Sequence, residues 1–300
     1  MWVTVIIFSA IFLGFYDVFK KASLRGNVVM LVMLISSATS LCILLPFILI
    51  SHFQPELLQD SMFFIPFSGG KTQWLIFLKS ILVLASWIFS FYAMKYLPIS
   101  IVSPIRSSAP LWTLLGAVLL LHESLNGYQW TGILLIIACL FAYSVIGKKE
   151  GIRFTHDIWI LFIFVGTILG SISSLFDKYL IDTLKISRME IQAWFSVYQF
   201  LLMIPCVMLI WFPHRKTSDK FQWRWTIPMI GIFLVFADFF YYYALSMPGA
   251  LIAVISPIRR SNVLISFLGG ALIFKEKNIA VKGIALIGVI LGVYILYLGR

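Results

Sequence analysis

The chain of 300 residues is 61% hydrophobic and only 12% charged, with a mean hydropathy of +0.99 and a net charge of +11. Soluble domains are about 45–50% apolar and about 25% charged, so this composition excludes a soluble globular protein and indicates a chain that lies in lipid. The basic residues flank apolar segments instead of forming one polar face, which excludes a nucleic-acid-binding protein.

Ten apolar segments follow one another along the chain, each close to the length of about 20 residues that a membrane-spanning helix needs. They are Trp2–Phe19, Val28–Ile50, Gln73–Ala93, Ile99–Leu121, Gln129–Ile146, Ile158–Phe176, Ile191–Phe212, Trp225–Leu245, Ala250–Phe274 and Ala280–Leu298. The sequence therefore predicts an all-α membrane protein with ten transmembrane helices. We expect a multi-pass integral protein of a bacterial-type inner or plasma membrane.

Lysine and arginine are concentrated in the odd-numbered connections between these segments. Because basic residues favour the cytoplasmic side of a membrane, this asymmetry predicts that both termini lie outside the cytoplasm. Lys20, Lys21 and Lys178 stand at predicted helix ends, where they could face a cavity instead of the cytoplasm.

The tetrapeptide SPIR occurs twice, as Ser103–Arg106 in the fourth segment and as Ser256–Arg259 in the ninth. The regions around the two copies, residues 91–132 and 241–283, also share an aromatic pair, an alanine, a proline-containing turn, a glutamate and a later glycine. Self-similarity of this kind indicates an internal repeat.

The repeat divides the chain into two halves of five helices, residues 1–150 and 151–300. Because five is odd, the second half is predicted to enter the membrane from the opposite side, as in the inverted repeats of secondary transporters. The paired pattern, "YA…P…SP…" leading to "G…E" in each half, resembles the drug/metabolite transporter superfamily, EamA type. This resemblance implies two inverted EamA-like repeats and a carrier of small polar metabolites that works by alternating access.

Three arginines are predicted to lie at membrane depth: Arg106, Arg259 and the adjoining Arg260. An arginine facing lipid at mid-span costs about 2.5–3.5 kcal/mol on insertion scales, so we expect these side chains to face a shared cavity. Ser103 and Ser256 precede the two SPIR arginines by three residues and share their helix faces. Guanidinium groups bind carboxylate or phosphate with two hydrogen bonds, which predicts an anion site. The alternative is that the arginines bond helix carbonyls or reach lipid headgroups.

Other polar and aromatic residues extend the predicted substrate site. Asn262 widens the polar stripe of the ninth segment, and Tyr92 and Tyr242 flank the expected cavity. The stretch RRSNVL is similar to the basic pair of the triose-phosphate and nucleotide-sugar branch of the same superfamily. That similarity implies a phosphate-binding role for Arg259 and Arg260, with Arg106 as their repeat-related partner.

Acidic and basic residues elsewhere in the apolar segments leave alternatives open. Asp238, in the middle of the eighth segment, is either a protonatable coupling group or the counter-ion of an arginine. Lys79 either lines the cavity or reaches the membrane interface, and Asp17 and Asp177 either line the cavity or are solvated at helix ends; the second alternative is favoured for each. Two small residues four apart in the last segment, Gly288 and Gly292, are expected to pack within the bundle.

The sequence thus predicts a secondary transporter of a small anionic or zwitterionic metabolite. Its expected setting is the lipid bilayer, as a monomer or weak homodimer, with no cofactor, metal or nucleic-acid partner. Two alternatives are a proton-coupled exporter of amino acids or other metabolites and a flippase of an anionic lipid-linked headgroup. An enzyme is disfavoured because no cluster of His, Asp and Glu is predicted at membrane depth.

Overall fold

The computed structural model describes residues 2–97, 105–106, 108–146, 158–216, 219–262, 264–265 and 279–299. Within these ranges the chain forms ten α-helices and no β-strand. The helices are α1 Trp2–Leu24, α2 Val29–Phe53, α3 Gly70–Tyr96, α4 Ala109–Leu120, α5 Gly127–Ile146, α6 Ile158–Lys178, α7 Arg188–Cys206, α8 Thr226–Leu245, α9 Ile252–Arg260 and α10 Ile279–Leu298. Each overlaps one predicted segment, of which α4 and α9 cover only a part within the described residues, so the all-helical fold and the order of the ten helices are confirmed.

Six of these helices are long and apolar enough to cross a bilayer: α1, α2, α3, α8, and α6 and α7 with the turns that extend them. Helix α7 contains Pro205, which has no backbone N–H to donate to the preceding turn. The helix continues past this proline as a π-turn, Val207–Trp211. Of the other helices, α4 and α9 contain 12 and 9 residues, and α5 and α10 contain 20 residues each.

Helices from the two ends of the chain are interleaved. Helix α1 packs on α8, and α3 packs on α6. Helix α2 contacts both α7 and α8, while α7 also contacts α3. Helices α4 and α9 cross each other, with α4 against α6 and α9 against α1, and α5 pairs with α10. These contacts are symmetric in helix number. If each helix is replaced by the one five places away, such as α1 by α6, every contact named above becomes another contact named above or stays the same.

Glycines let two of these helix pairs approach closely. A Cβ atom at Gly231 of α8 would overlap the Ser36 carbonyl oxygen of α2, and one at Gly292 of α10 would overlap Ile136 of α5. A Cβ atom at Gly288 would likewise overlap the Cys139 sulfur. Small residues permit such contacts between membrane helices, and Gly288 and Gly292 therefore pack within the chain, as predicted.

An apolar cluster fills the end of the bundle that contains the first turns of α1. It contains Ile6, Ile76, Ile133 and Ile191 together with residues 252–255, all of them fully buried. Each CH₂ group that is buried away from water contributes about 0.8 kcal/mol to stability. The bundle is closed at this end.

Two polar contacts hold the start of α9 at the closed end, and one of them joins the two halves of the chain. Glu123, which follows α4, accepts hydrogen bonds from the backbone N–H groups of Ile252 (2.8 Å) and Ala253 (3.0 Å) at the start of α9. Burial raises the pKa of the Glu123 carboxyl above its ordinary value, although these two donors lower it. Lys178 donates to the Ala250 carbonyl oxygen at 2.5 Å, so side chains from α6 and the α4–α5 connection hold the first turn of α9.

We expect Gly231→Val to destabilise the protein by about 3 kcal/mol, because the new side chain would force α8 away from the backbone of α2. The measurement is the melting temperature and the size-exclusion profile of purified protein in detergent. Gly127→Ala is the matched control, since a Cβ atom there would meet no atom within 4 Å. A Gly231→Val protein as stable as the wild type would show that this close approach is not needed.

Candidate functional site

A cavity of about 190 Å³ lies at the centre of the bundle. Its walls come from α1, α3, α6, α8 and α9, and from Arg106 between α3 and α4. Its charged lining consists of Lys20, Lys79, Arg106, Asp177, Asp238, Arg259 and Arg260. All three arginines singled out in the sequence therefore line one common cavity.

Asp238 and Arg259 form an ion pair on the wall of this cavity. The Arg259 guanidinium Nη2 lies 2.5 Å from Asp238 Oδ1, so α8 and α9 are joined at the cavity wall. The same guanidinium lies 4.1 Å from the centre of the Tyr241 ring, a distance at which a cation is attracted by the aromatic face. Asp238 is thus the counter-ion of Arg259 in this conformation.

Asp17 of α1 is the centre of a second group of polar side chains. Its carboxylate lies 3.5 Å from Lys20 Nζ and 3.7 Å from Arg106 Nη1. Asn262 donates a hydrogen bond from Nδ2 to Asp17 Oδ2 at 2.6 Å. Asn262 therefore holds the aspartate that lies beside Arg106. It is not part of the cavity wall itself.

Lys79 and Asp177 form a third ion pair, which is the most deeply buried of the three. Lys79 Nζ lies 2.7 Å from Asp177 Oδ1, and Lys79 is only 2% exposed. The hydroxyl groups of Tyr241 and Tyr242 lie 3.4 Å from the same carboxylate. Tyr242 also accepts a hydrogen bond from Lys79, whose ammonium lies 4.4 Å from the centre of the Phe195 ring. Hydrogen bonds and aromatic faces compensate both charges of this pair.

Arg260 differs from the other charged groups of the cavity. Among the residues that the structure describes, it has no ion-pair partner and no hydrogen-bond acceptor for its guanidinium. Its electrostatic surroundings contain Asp17, which attracts it, and Arg106 and Arg259, which repel it; both of these arginines lie beside an aspartate. One permanently charged donor with five N–H groups is thus available to a molecule in the cavity.

The remaining predicted site residues fall in different places. Ser256 and Tyr242 line the cavity. Tyr92 is half-buried outside the cavity wall, where its ring stacks on that of Trp159 at 6.4 Å; it follows the cavity-lining Phe91, and consecutive helical residues point about 100° apart. Ser103 lies outside the described residues.

Three charged residues lie in the interior against the prediction made from their sequence positions. Lys79 does not reach the interface, and neither Asp17 nor Asp177 is a solvated residue at a helix end. These residues can be buried because each acid lies beside a basic side chain, so no charge is isolated in the interior. Lys20 lines the cavity, as the alternative interpretation of its position allowed.

Aromatic rings and small residues supply the rest of the lining, and the sequence contained little signal for them. The rings are those of Tyr16, Trp87, Phe91, Phe195, Tyr241 and Tyr242, and the small residues include Ser86, Ser90, Gly166, Thr167, Gly170, Ser173 and Ser174. Serine, threonine and glycine in an otherwise apolar α6 could have indicated its cavity-facing side. In membrane helices, however, the same residues also mark helix contacts.

Formal charges in the described part of the cavity do not balance. The Lys79–Asp177 and Arg259–Asp238 pairs are each neutral. Lys20, Arg106 and Arg260 then remain opposite a single carboxylate, that of Asp17. The site carries a surplus of positive charge, and every carboxylate in it already lies beside a basic group of the protein.

Comparisons with known proteins give information on the family and on the fold of the chain. Residues 1–145 match the sequence model of the EamA-like transporter family. A solved crystal structure of a protein matches 99% of this chain and 97% of its own chain, with a TM-score of 0.72 and 16% sequence identity, a likeness that shows the fold alone. No curated protein matches the chain in sequence.

We expect Lys79→Met to lower the free energy of unfolding by about 3–5 kcal/mol, because it leaves the Asp177 carboxylate buried beside no base. Adding Asp177→Asn should restore most of the loss, since both charges are then removed. Thermal unfolding in detergent measures both effects.

The matched control is Lys95→Met, which breaks the more exposed ion pair of Lys95 with Asp219 at 2.9 Å. Pairs of this kind contribute about 0–1 kcal/mol, so little change is expected. Equal effects of the Lys79 and Lys95 substitutions would contradict the interpretation of Lys79 and Asp177 as a compensated interior pair.

Proposed function

We propose that the protein carries a small anionic metabolite across the bilayer. Two findings support this proposal: residues 1–145 match the model of the EamA-like transporter family, and the chain is a multi-pass integral membrane protein. The proposed mechanism is that of a secondary transporter with alternating access. The matched family consists of transporters, which also argues against an enzymatic function for this protein. The observation that carries the proposal is the Arg260 guanidinium, which lines the central cavity with no partner among the described residues.

The charges of the cavity favour an anion over a zwitterion. A zwitterion needs a carboxylate for its ammonium group as well as a base for its anionic group. Asp17, Asp177 and Asp238 each lie beside a basic side chain of the protein, so binding an ammonium would require one of these pairs to break. An anion requires no such exchange, because guanidinium binds carboxylate and phosphate directly.

The size of the cavity favours a small substrate. Its volume of about 190 Å³ lies below the range of about 300–1,000 Å³ that is typical of sites for drug-sized ligands. Aromatic rings on the wall, among them Trp87 and Phe195, would pack against the uncharged part of the molecule. Arg259 and Arg260, with Arg106 opposite, would bind its anionic group, and Ser256 and Tyr242 would supply further hydrogen bonds.

Two inverted five-helix repeats, residues 1–150 and 151–300, account for the fold in this proposal. The helix contacts support it, because exchanging each helix with the one five places away preserves the main contacts between helices. The two SPIR copies support it as well, since Arg106 and Arg259 meet at one cavity. In repeat-based transporters the substrate site lies between the repeats near the middle of the membrane.

Alternating access requires the closed end of the bundle to open. Groups that hold it across the halves include the Glu123 carboxylate at the first turn of α9 and the Glu190 carboxylate, which accepts hydrogen bonds from Ser68 and Gln73. Pro257 lies inside α9, and a proline within a helix removes one backbone hydrogen bond. We assign to α9 the bending motion that would expose the arginines to the other side.

Asp238 has the role of a counter-ion in this proposal. The Arg259 guanidinium lies 2.5 Å from its carboxylate and pairs with it directly, so the proposal gives Asp238 no part in proton coupling. Asp238 would hold Arg259 in place until the substrate's anionic group binds.

We expect Arg260→Gln to weaken anion binding about 10- to 150-fold, the loss that follows from removing a charged hydrogen-bond donor worth about 1.5–3 kcal/mol. The fold should remain, because this side chain has no partner in the described structure. Binding is measured by calorimetry and by thermal shift in detergent, with phosphate monoesters and dicarboxylates as probes.

Arg25→Gln, which changes an exposed loop arginine, is the matched control and should bind like the wild type. Anion affinity that survives Arg260→Gln unchanged would refute the assigned role of Arg260. Stabilisation of the wild type by lipophilic cations alone, with no response to any anion, would refute the proposed function.

A further inference from the structure

A groove of about 770 Å³ lies at the end of the bundle opposite the closed end, where α1 ends and α8 begins. None of its lining residues belongs to the wall of the central cavity. They are two arginines, two tryptophans and two smaller residues, namely Ala22, Arg25, Trp223, Arg224, Trp225 and Thr226. This end groove, as we call it, is therefore separate from the proposed anion site, and its described lining contains no acidic residue.

The two arginines of the end groove have hydrogen-bond donors to spare. Arg224 donates from Nη1 to the Ala22 carbonyl oxygen and from Nη2 to Gln222 Oε1, both at 2.7 Å. Since a guanidinium has five N–H groups, three of them remain for a ligand. Arg25 is exposed and has no hydrogen bond or ion pair with any residue that the structure describes. Two cations without a carboxylate beside them favour a ligand with negative charge.

Hydrogen bonds to the end of α1 hold the groove in shape. Asn27 is fully buried, donates from Nδ2 to the Gln222 carbonyl oxygen at 2.7 Å and accepts from the Gln222 backbone N–H at 3.0 Å. The hydroxyl groups of Ser23 and Thr226 lie 2.7 Å apart. These contacts fix residues 222–226 against the end of α1, so the groove is formed before a ligand arrives. Preorganisation of this kind lowers the cost of binding.

Two exposed aromatic side chains flank the arginines. Trp223 and Trp225 are 64% and 66% exposed, and the Trp225 ring meets the Phe19 ring edge-on, with 5.5 Å between the ring centres. Both tryptophans lie just before α8, which is long and apolar enough to cross a bilayer, and tryptophan at such positions lies at the level of the lipid headgroups. The groove thus combines guanidinium groups for an anion with indole rings for an apolar neighbour. A soluble anion would use only the guanidinium groups.

The connection between α7 and α8 adds positive charge around the groove. It contains Arg215, Lys216 and Lys220 in addition to Arg224, with Asp219 as its one acid. Clusters of four or more basic residues next to a membrane helix attract anionic lipids. The charge asymmetry of the sequence predicts this end on the cytoplasmic side, where such lipids give the membrane surface its negative potential.

We propose that the end groove binds the headgroup of an anionic phospholipid. Arg25 and Arg224 bind its phosphate, and Trp223 and Trp225 pack against the glycerol and the upper part of the acyl chains. The lipid joins the ends of α1 and α8, two helices that both line the central cavity, and it thereby stabilises the bundle.

The first test uses the whole protein in dodecyl maltoside, with phosphatidylglycerol and phosphatidylcholine of the same acyl chains as probes. Native mass spectrometry measures the affinity of each lipid, and thermal shift measures the stabilisation. We expect phosphatidylglycerol to bind at least about 5-fold more tightly than phosphatidylcholine, the ratio that corresponds to one arginine near an anionic headgroup. It should also raise the melting temperature more. Equal affinities of the two lipids would overturn the proposal.

A soluble acidic peptide, hexaglutamate, distinguishes a lipid from a soluble partner. The peptide is larger than the central cavity of about 190 Å³, so a response to it reports on the outer surface. We expect it to leave the melting temperature unchanged. Stabilisation by hexaglutamate without stabilisation by phosphatidylglycerol would overturn the lipid assignment and favour a protein partner with an acidic segment.

The second test removes both guanidinium groups in the double variant Arg25→Gln, Arg224→Gln. We expect its affinity for phosphatidylglycerol to fall to that for phosphatidylcholine. The matched control is Lys216→Gln, Lys220→Gln, which removes two exposed charges from the same connection outside the groove and should keep the preference. An equal loss in both double variants would show that diffuse charge attracts the lipid. That result, or an unchanged preference without the two arginines, would overturn the groove as the site.

If the double variant does not fold, Arg25→Gln alone decides the question, since Arg25 has no partner in the described structure. The single variant should reduce the preference for phosphatidylglycerol, and an unchanged preference would count against the groove. Binding of small anions to the central cavity should be unaffected in this variant. The lipid site and the proposed function can therefore fail independently of each other.

Discussion

Compensation of charge inside an apolar bundle is the constraint on which the described site depends. An ionised side chain in a region of low dielectric constant is retained only where opposite charge and hydrogen bonds replace the water it has lost. Lys79 has Asp177 with two tyrosine hydroxyls, and Arg259 has Asp238. Arg260 has no such partner in the described structure, and the chemistry of the cavity follows from that exception.

The compensating contacts also hold distant parts of the chain together. Asn262 at the end of α9 reaches Asp17 of α1, and Lys79 of α3 reaches Asp177 of α6. The interior polar groups are thus shared between the halves in the same way as the helix contacts. In the proposed mechanism, a motion of one half against the other would exchange these partners, and a ligand that supplies replacement charges would lower the cost of that motion.

Asp238 has a particular place in this arrangement because it lines two spaces. On one side its carboxylate meets the Arg259 guanidinium, and on the other it lines a smaller chamber of about 20 Å³ between α2, α7 and α8, with Gln192 and Gln199.

The sequence predicted most of the fold and part of the site, and the difference has a physical origin. Apolar segments of about 20 residues can be stable only as membrane helices, so ten helices in order could be read without knowing their neighbours. The arginines could be assigned to a cavity because exposure to lipid is costly. The roles of Lys79, Asp17 and Asp177 could not, because an apolar helix does not reveal which of its faces meets lipid and which meets protein.

The sequence by itself determined the number and order of the helices and the presence of arginines in the apolar segments, because these follow from local hydrophobicity. Only the tertiary structure decided which charges neutralise one another, which guanidinium is left without a partner, and that Tyr92 faces Trp159 and not the cavity. Ion pairs depend on distances of a few ångströms between residues that are far apart in the chain. Packing of whole helices sets those distances, and no pattern within a single segment contains them.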